Sequence, residues 1–301
     1  MSIVFLILSI LSMAAAIAVK VMFVPASDGI DISGAHVFFT IKMPIQDLPI
    51  TEAQVNSWCV ILAVLFLCLF LTTGLKTRNI SIRQMLAEWI VEKVTGLVRT
   101  NMGEYFEGFA PFIAAILGLS GFSSLSSLLG LFPPTSDINI IAGWAILVFF
   151  LITYYKMKAG PWIYLKSFGQ PQPLLAPLNI ISEVATPISM AFRHYGNVLS
   201  GSIISVLIAV GLTKLSNSLF SFLPGALADF PYLRIGIPAV LSIYFDLFSG
   251  CLQAFIFAIL TMLYVAGGFP AEEYAARKKR RQERAAAKAA RSQAAGKHAD
   301  N

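Results

Sequence analysis

Charged residues are scarce in this 301-residue chain: Asp, Glu, Lys and Arg make up 13% of it, whereas hydrophobic residues make up 57%. An average soluble domain carries roughly 25% charged residues. The deficit argues against a water-soluble globular protein, and the apolar content excludes disorder for most of the chain. The three cysteines lack metal-ligand spacing, and no P-loop motif is found. We therefore expect no disulfide framework, no metal site and no bound cofactor.

Positive charge is concentrated at one end of the chain. Residues 271–301 hold nine Lys and Arg against four acids, while the whole chain has a net charge of +6. A basic end after an apolar stretch is typical of a cytoplasmic tail beside anionic lipid, or of a simple solvated tail. The basic balance is thus a property of the tail, and we expect no nucleic-acid partner.

Long apolar stretches occupy most of the remaining sequence, and a membrane-spanning helix needs roughly 20 apolar residues. The last two stretches are longer than upright spans, at roughly 58 and 48 Å if helical against a hydrocarbon core of roughly 30 Å. They must tilt strongly or break, and Pro177 and Pro187 could bend the first. The apolar stretches lie at 1–19, 55–75, 109–132, 138–155, 174–212 and 235–266.

Residues 80–102 mix charged and apolar residues at helical spacing, which predicts an amphipathic helix along the membrane surface or a linker helix facing solvent. The sequence therefore predicts an all-α polytopic membrane protein with about five to six transmembrane helices. One amphipathic surface helix and a long, strongly tilted C-terminal helical hairpin complete the predicted fold.

The segments at the two ends of the chain differ from the middle. Residues 1–23 could be an additional span, a signal anchor or a cleaved leader, and we favour a span with its N-terminus inside. An extracytoplasmic segment at 24–54, a membrane domain at 55–270 and a basic cytoplasmic tail at 271–301 follow. Seventeen Lys and Arg on the predicted inner side against three on the outer side fix this orientation.

Arg193 lies deep within an apolar helix, where even a lenient scale gives a cost of about 2.5 kcal/mol. The default interpretation is a functional charge with an anionic partner. Polar or small residues share its helix face at i−4, i+3 and i+4, namely Ser189, Gly196 and Asn197. In the last apolar stretch, α-helical spacing likewise predicts one polar face of Asp246, Ser249, Gly250 and Gln253. A structural ion pair between Arg193 and Asp246 is the alternative.

The pattern R-x-x-G-N-x-x-x-G, formed by Arg193, Gly196, Asn197 and Gly201, resembles subunit a of the F-type ATP synthase. The string Gln-Ala-Phe-Ile-Phe that begins at Gln253 belongs to the same resemblance. So do PPTSDIN at 133–139, PLNIISE at 177–183 and the predicted surface helix. The resemblance covers roughly residues 36–268, and the combination of motifs is far more specific than any one of them.

The resemblance implies a stator that passes protons to and from the carboxylates of a rotating c-subunit ring, which makes residues 55–270 an ion-translocating domain. Arg193 matches the essential arginine that faces the c-ring carboxylate, and Gln253 matches the glutamine opposite it. Asn197, Ser202 and Asp246 match the outer half-channel. Ser189 and Glu183 match the region leading to the cytoplasmic half-channel. The other implied partners are the b-subunit peripheral stalk, the rest of the ATP synthase complex and membrane lipid.

The sequence has no Arg-rich, Ser-rich presequence, so we expect a bacterial inner membrane rather than an imported mitochondrial protein, with no catalytic site on this chain itself. The sequence departs from the family at two positions. Position 202 is often Glu in relatives, so Asp246 becomes the best candidate for the outer proton relay. His194 stands where an aliphatic residue is usual, and because it is one residue from Arg193 its side chain should point elsewhere, for packing or as a relay.

Two other classes of protein remain open at this stage. One is an independent proton-coupled secondary transporter in which Arg193 binds an anionic solute, although such transporters show internal repeats and none is convincing here. The other is a membrane enzyme, which is disfavoured because no set of nucleophile, base and metal ligands is evident.

Overall fold

Six helices in the described part of the chain are long and apolar enough to cross a membrane. The computed structural model describes residues 2–24, 34–44, 47–78, 80–158, 160–169, 172–222, 232–233, 236, 240–241 and 243–269. The six helices confirm the predicted all-α polytopic membrane protein. Its α-helices are α1 (Ser2–Phe23), α2 (Glu52–Thr72), α3 (Ile82–Met102), α4 (Ala110–Leu125), α5 (Ile138–Met157), α6 (Pro161–Ser167), α7 (Ala176–Leu219) and α8 (Gly250–Gly267).

The N-terminal helix α1 packs along α2. The Ser9 hydroxyl donates to the Ala63 carbonyl of α2 at 2.9 Å. Near the other end of α1, the Lys20 ammonium lies 3.7 Å from the Glu52 carboxylate and also donates to the Gly130 carbonyl. Glu52 opens α2 and is only 5% exposed, so Lys20 supplies a positive charge to a carboxylate that water barely reaches.

A short antiparallel hairpin precedes α2 and was not predicted. Strands β1 (Val37–Ile41) and β2 (Leu48–Thr51) pair with Ile41 opposite Leu48, and a register irregularity lies between Val37 and Phe39. Because the strands have only five and four residues, the alternation of apolar and polar residues is too short to be recognised in the sequence. The hairpin leads directly into α2, where the Thr51 hydroxyl caps the helix by accepting from the Gln54 N–H.

Helix α3 is the predicted amphipathic helix, and the Ser81 hydroxyl caps its N-terminus. Its C-terminal half packs into the bundle through the buried side chains of Val98 and Met102. Its N-terminal half leaves apolar side chains exposed, with Ile82 83% and Trp89 55% accessible. This apolar exposure is what an interfacial helix presents to lipid.

Helix α5 begins with a side-chain cap. The Asp137 carboxylate accepts from the Asn139 N–H at 2.9 Å and so caps the N-terminus of the helix. The short 3₁₀ turn Pro134–Ser136 comes just before it. The PPTSDIN string thus positions the start of a spanning helix.

Helix α7 runs for 44 residues without a break and contains Pro187 in its interior. A proline removes one backbone hydrogen bond and usually kinks or ends a helix, yet here the helix continues past it. At 1.5 Å per residue α7 is about 66 Å long, more than twice the hydrocarbon core of roughly 30 Å. Of the two predicted solutions, strong tilt and breakage, α7 therefore requires the tilt.

The last described helix starts with a seven-residue π-helical segment, Ile243–Ser249, and continues as α8. A π-helix bonds residue i to i+5 and so takes more residues per turn than an α-helix. The α-helical spacing that placed Asp246 and Ser249 on one face with Gly250 and Gln253 therefore does not hold before Gly250. Much of the connection between α7 and this segment lies outside the described residues.

An aromatic cluster closes the bundle where α5 and α8 end. Tyr105 and Phe269 stack with ring centroids 4.5 Å apart, and Phe106 lies 5.3 Å from Phe269 and 5.0 Å from Tyr155. The Lys158 ammonium sits 5.1 Å from the Tyr155 ring and 5.3 Å from the Tyr105 ring. A hydrogen bond to Tyr105 raises the pKa of Lys158 against the opposing effect of desolvation. These contacts hold the end of the last helix against α5.

Candidate functional site

Arg193 stands near the middle of α7, and its side chain is exposed. Two other predicted site residues on the same helix, Ser189 and Asn197, are exposed as well. Because residues four apart lie on one helical face, the three form a polar stripe centred on a single positive charge. Within the described part of the chain Arg193 makes no hydrogen bond or ion pair, so no described residue neutralises this charge.

Gln253 is placed differently. It lies in the first turn of α8 and is only 4% exposed, next to the buried Ala254 and near Phe257. Helices α7 and α8 pack against each other, but no hydrogen bond among the described residues joins Gln253 to Arg193. The structure thus brings the two helices together and leaves the arginine on the surface, with the glutamine inside.

Asn197 is the predicted site residue that links the two helices directly. Its side-chain amide donates to the Ser249 hydroxyl at 2.8 Å, and Ser249 is the last residue of the π-helical segment. One turn further along α7, a Cβ on Gly201 would lie 3.3 Å from the Phe245 side chain, so glycine allows the close approach. The polar contact and the small residue together fix the π-helical segment against α7.

The two remaining outer residues lie on these same elements. Ser202 is exposed, and its hydroxyl donates to the Leu199 carbonyl of its own helix at 2.8 Å. Asp246 lies in the π-helical segment, but its side chain is outside what the structure describes.

Glu183, a predicted residue of the inner path, is part of a cluster that sequence reasoning missed. Its carboxylate forms an ion pair with Lys156 of α5 at 2.9 Å and accepts a 3.0 Å hydrogen bond from the Tyr164 hydroxyl of α6. Burial, reinforced by this hydrogen bond and by the carboxylate charge, raises the pKa of Tyr164 to about 12. Tyr164 is therefore a protonated donor to Glu183 at neutral pH.

The sequence contains only a weak signal for this cluster. Lys156 lies in the last turn of α5, where a basic residue is common and is ordinarily explained by the helix dipole or by the membrane boundary. Nothing in the spacing of Lys156, Tyr164 and Glu183 reveals that three different helices bring them together. Only the packing of α5, α6 and α7 does so.

His194 faces away from the arginine, as predicted from its position one residue further along the helix. It is fully buried, with its Nε2 3.4 Å from the Ser120 hydroxyl. The ring centroids of Trp144 and Phe257 lie 6.4 and 5.6 Å from that of His194, both in edge-on geometry. Among the described residues its Nδ1 has no hydrogen-bond partner. His194 therefore packs α7 against α4, α5 and α8.

Comparisons with known proteins identify the family of this chain. The family model described as ATP synthase A chain matches residues 55–266. The chain is 32% identical over 234 residues to "ATP synthase subunit a 1" of Crocosphaera subtropica, covering 74% of this chain and 89% of that protein. It is 26% identical over 244 residues to "ATP synthase subunit a" of Legionella pneumophila, covering 79% and 94%. With the protein of that name from Bacillus pumilus it shares 34% over 209 residues, covering 64% and 83%.

Proposed function

Because the chain belongs to the ATP synthase A chain family, and is thus an integral membrane subunit of an ATP synthase, we propose that it is the stator of proton translocation. In this proposal two aqueous half-channels lead to a ring of c subunits, and Arg193 separates them. The observation that carries the proposal is that Arg193 is exposed on a polar stripe of a spanning helix and is unpaired within the part of the chain that the structure describes.

The charge on Arg193 accounts for the release of a proton into one path and its uptake from the other. A rotor carboxylate that faces lipid must be neutral, because a bare charge is costly there. When it reaches Arg193, the opposite charge favours the ionised form, so the carboxylate releases its proton into one half-channel. Once past Arg193 it takes up a proton from the other half-channel. Each charge that crosses contributes about 2.3 kcal/mol per 100 mV of membrane potential.

Arginine suits this role better than lysine for two reasons. Its guanidinium remains charged in low dielectric, and its planar fork of donors matches a carboxylate. A lysine could lose its proton when desolvated, and a neutral residue at this point would let protons leak directly between the half-channels. We therefore expect Arg193→Lys to be far from conservative.

The two half-channels are assigned from the resemblance and from the polar residues around Arg193. Asn197, Ser202 and Asp246 belong to the outer path in this proposal, and Ser189 and Glu183 to the inner one. The resemblance assigns Gln253 of α8 to the position opposite the arginine. The C-terminus is then cytoplasmic, in a bacterial inner membrane, and the c ring and the b-subunit stalk are the proposed neighbours.

ATP-driven proton pumping in inverted membrane vesicles tests the proposal. Arg193→Ala should abolish pumping in a complex that assembles and still hydrolyses ATP. Arg99→Ala is the matched control, because Arg99 is an exposed arginine of α3 that is paired with Glu107 at 2.6 Å, away from the stripe. Coupled pumping by the Arg193→Ala complex would overturn the stator assignment.

A further inference from the structure

A small cavity lies where the ends of α5 and α8 meet the beginning of α7. Its volume is about 190 Å³, and its polar lining comes from Lys156, Glu183, Thr186 and Tyr264. A single water molecule needs about 10–15 Å³ of such space, so the cavity has room for several. Among the described residues its wall carries one carboxylate and one ammonium group, and the ammonium of Lys158 is turned to the tyrosine rings.

The carboxylate is held from two sides. Lys156 contacts one of its oxygens at 2.9 Å, and the Tyr164 hydroxyl donates to that same oxygen at 3.0 Å. The Glu183 side chain is 11% exposed and that of Lys156 27% exposed, so the pair is shielded yet open to the cavity. An ion pair in such a place depends on good geometry, because desolvation opposes it.

Gly268 provides the space that this geometry needs. A Cβ at position 268 would lie 2.7 Å from Cε and 2.8 Å from Cγ of Lys156. Real Cβ atoms do not approach other carbons so closely, so any larger residue would displace the lysine side chain. The neighbouring Gly267 has no atom within 4 Å of the equivalent position. The glycine at 268 therefore lets Lys156 lie against the end of the last helix while it reaches Glu183.

We infer that Lys156 is a positioning residue for proton transfer on the inner side, and that Gly268, which has no side chain, leaves the space that the Lys156 side chain occupies. The inference deepens the proposed function and rests on it. Lys156 and Tyr164 hold the Glu183 carboxylate at the cavity wall. There the carboxylate accepts a proton from a hydronium ion in the cavity, leaving a water molecule behind, and later gives that proton to the next acceptor toward the rotor. Release restores the carboxylate and its ion pair with Lys156.

Proton conduction through the membrane sector tests this inference directly. The assembled complex in inverted vesicles is stripped of its catalytic sector, and passive proton flux is measured under an imposed potential. Lys156→Met should slow the flux by about ten- to a hundredfold, the usual consequence of misplacing a transfer group by an ångström. Lys156→Arg, which keeps the charge and can still reach the carboxylate, should restore most of it.

Two glycine variants separate positioning from mere structural damage. Gly268→Ala leaves every charge in place and should slow the flux as Lys156→Met does, whereas Gly267→Ala should conduct like the wild type. A wild-type flux in both Lys156→Met and Gly268→Ala would overturn the inference, and so would failure of Lys156→Arg to rescue.

The underlying function is tested separately in the same vesicles. If Arg193→Ala abolishes ATP-driven pumping while Lys156→Met conducts normally, only the role of Lys156 is refuted. If Arg193→Ala pumps normally, the stator proposal itself fails.

Discussion

Asn197 and Ser249 are joined side chain to side chain by a 2.8 Å hydrogen bond across the interface between α7 and the π-helical segment. Asn197 is one turn from Arg193, and Ser249 is the residue at which the π-helical geometry gives way to α8. A π-helical turn inside a helix often marks a functional site. The bond therefore ties the irregular part of the last helix to the arginine-bearing helix.

Removing this bond should loosen the site without unfolding it. A neutral hydrogen bond is worth about 0.5–1.5 kcal/mol, so Ser249→Ala should lower ATP-driven pumping by about two- to tenfold. Ser200→Ala is the matched control, since the Ser200 hydroxyl only donates to the Gly196 carbonyl of its own helix. Equal pumping rates in the two variants would show that the cross-helix bond is irrelevant to translocation.

A second prediction concerns Gly250, where α8 crosses α4. A Cβ at this position would lie 2.5 Å from Cβ of Ser124, so Gly250→Ala should destabilise the assembled complex by about 1–3 kcal/mol, as overpacking does. The thermal denaturation midpoint in detergent measures this. The double variant Ser124→Gly with Gly250→Ala should recover much of the loss, and Gly211→Ala, with no atom within 4 Å, should lose nothing. If the destabilisation of the double variant equals the sum of the destabilisations caused by Ser124→Gly and Gly250→Ala alone, the steric explanation is refuted.

A third prediction concerns the attachment of α1. Lys20→Met removes the charge that faces the buried Glu52 carboxylate, and an unsatisfied buried group costs about 1–3 kcal/mol or more. Adding Glu52→Gln to Lys20→Met should restore part of the stability, because the uncompensated charge is then gone. Lys93→Met, which removes an α3 lysine outside the described ion pairs, serves as the control. The denaturation midpoint of the complex is again the measurement, and no difference between the two lysine variants would contradict the prediction.

The buried His194 gives a fourth prediction, which separates packing from proton relay. Leucine fills much of the same space between Trp144 and Phe257, so His194→Leu should pump protons nearly as well as the wild type. His194→Ala should instead destabilise the complex by about 2–4 kcal/mol, because it leaves a cavity. Loss of pumping in a stable His194→Leu complex would favour a relay.

The fifth prediction is a pH dependence that comes from Tyr164. Its pKa is raised to about 12 in the folded protein, above the value of about 10 for an unfolded tyrosine. Folding thus favours the protonated hydroxyl, so the stabilisation is complete below about pH 10 and is lost as pH rises through the folded pKa. The stability difference between wild type and Tyr164→Phe should stay constant from neutral pH to about pH 9 and shrink above about pH 10. A difference that disappears at lower pH would contradict this assignment.

The sequence predicts those features that depend on composition and local spacing. The charge-free run 55–75 overlaps the spanning helix α2, and the helix at 82–102 carries both faces that its pattern indicates. Arg193 stands out because a charge is so costly in an apolar helix. Each of these signals is contained within about twenty residues of sequence.

Features that depend on contacts between distant segments were not predicted. The Lys156–Glu183 pair joins residues on different helices, and the clash that forbids a side chain at Gly250 involves Ser124. The π-helical segment changes the spacing on which a face assignment relies, and the hairpin strands are too short to show alternation. Residue patterns report local geometry, whereas these features arise only when the helices pack.

The length of α7 also determines how far apart two of its residues lie in the membrane plane. A helix of about 66 Å that lies wholly within a hydrocarbon core of roughly 30 Å is inclined by about 60° from the membrane normal. Glu183 and Asn197 are then about 21 Å apart along the helix axis, and their lateral separation in the membrane plane is about 19 Å. This lateral separation equals about twice the distance of 8–10 Å between the axes of two packed helices. Because α7 is continuous between the two residues, the helix itself sets this separation. An insertion of four residues between them would lengthen the helix by about 6 Å and so change this separation.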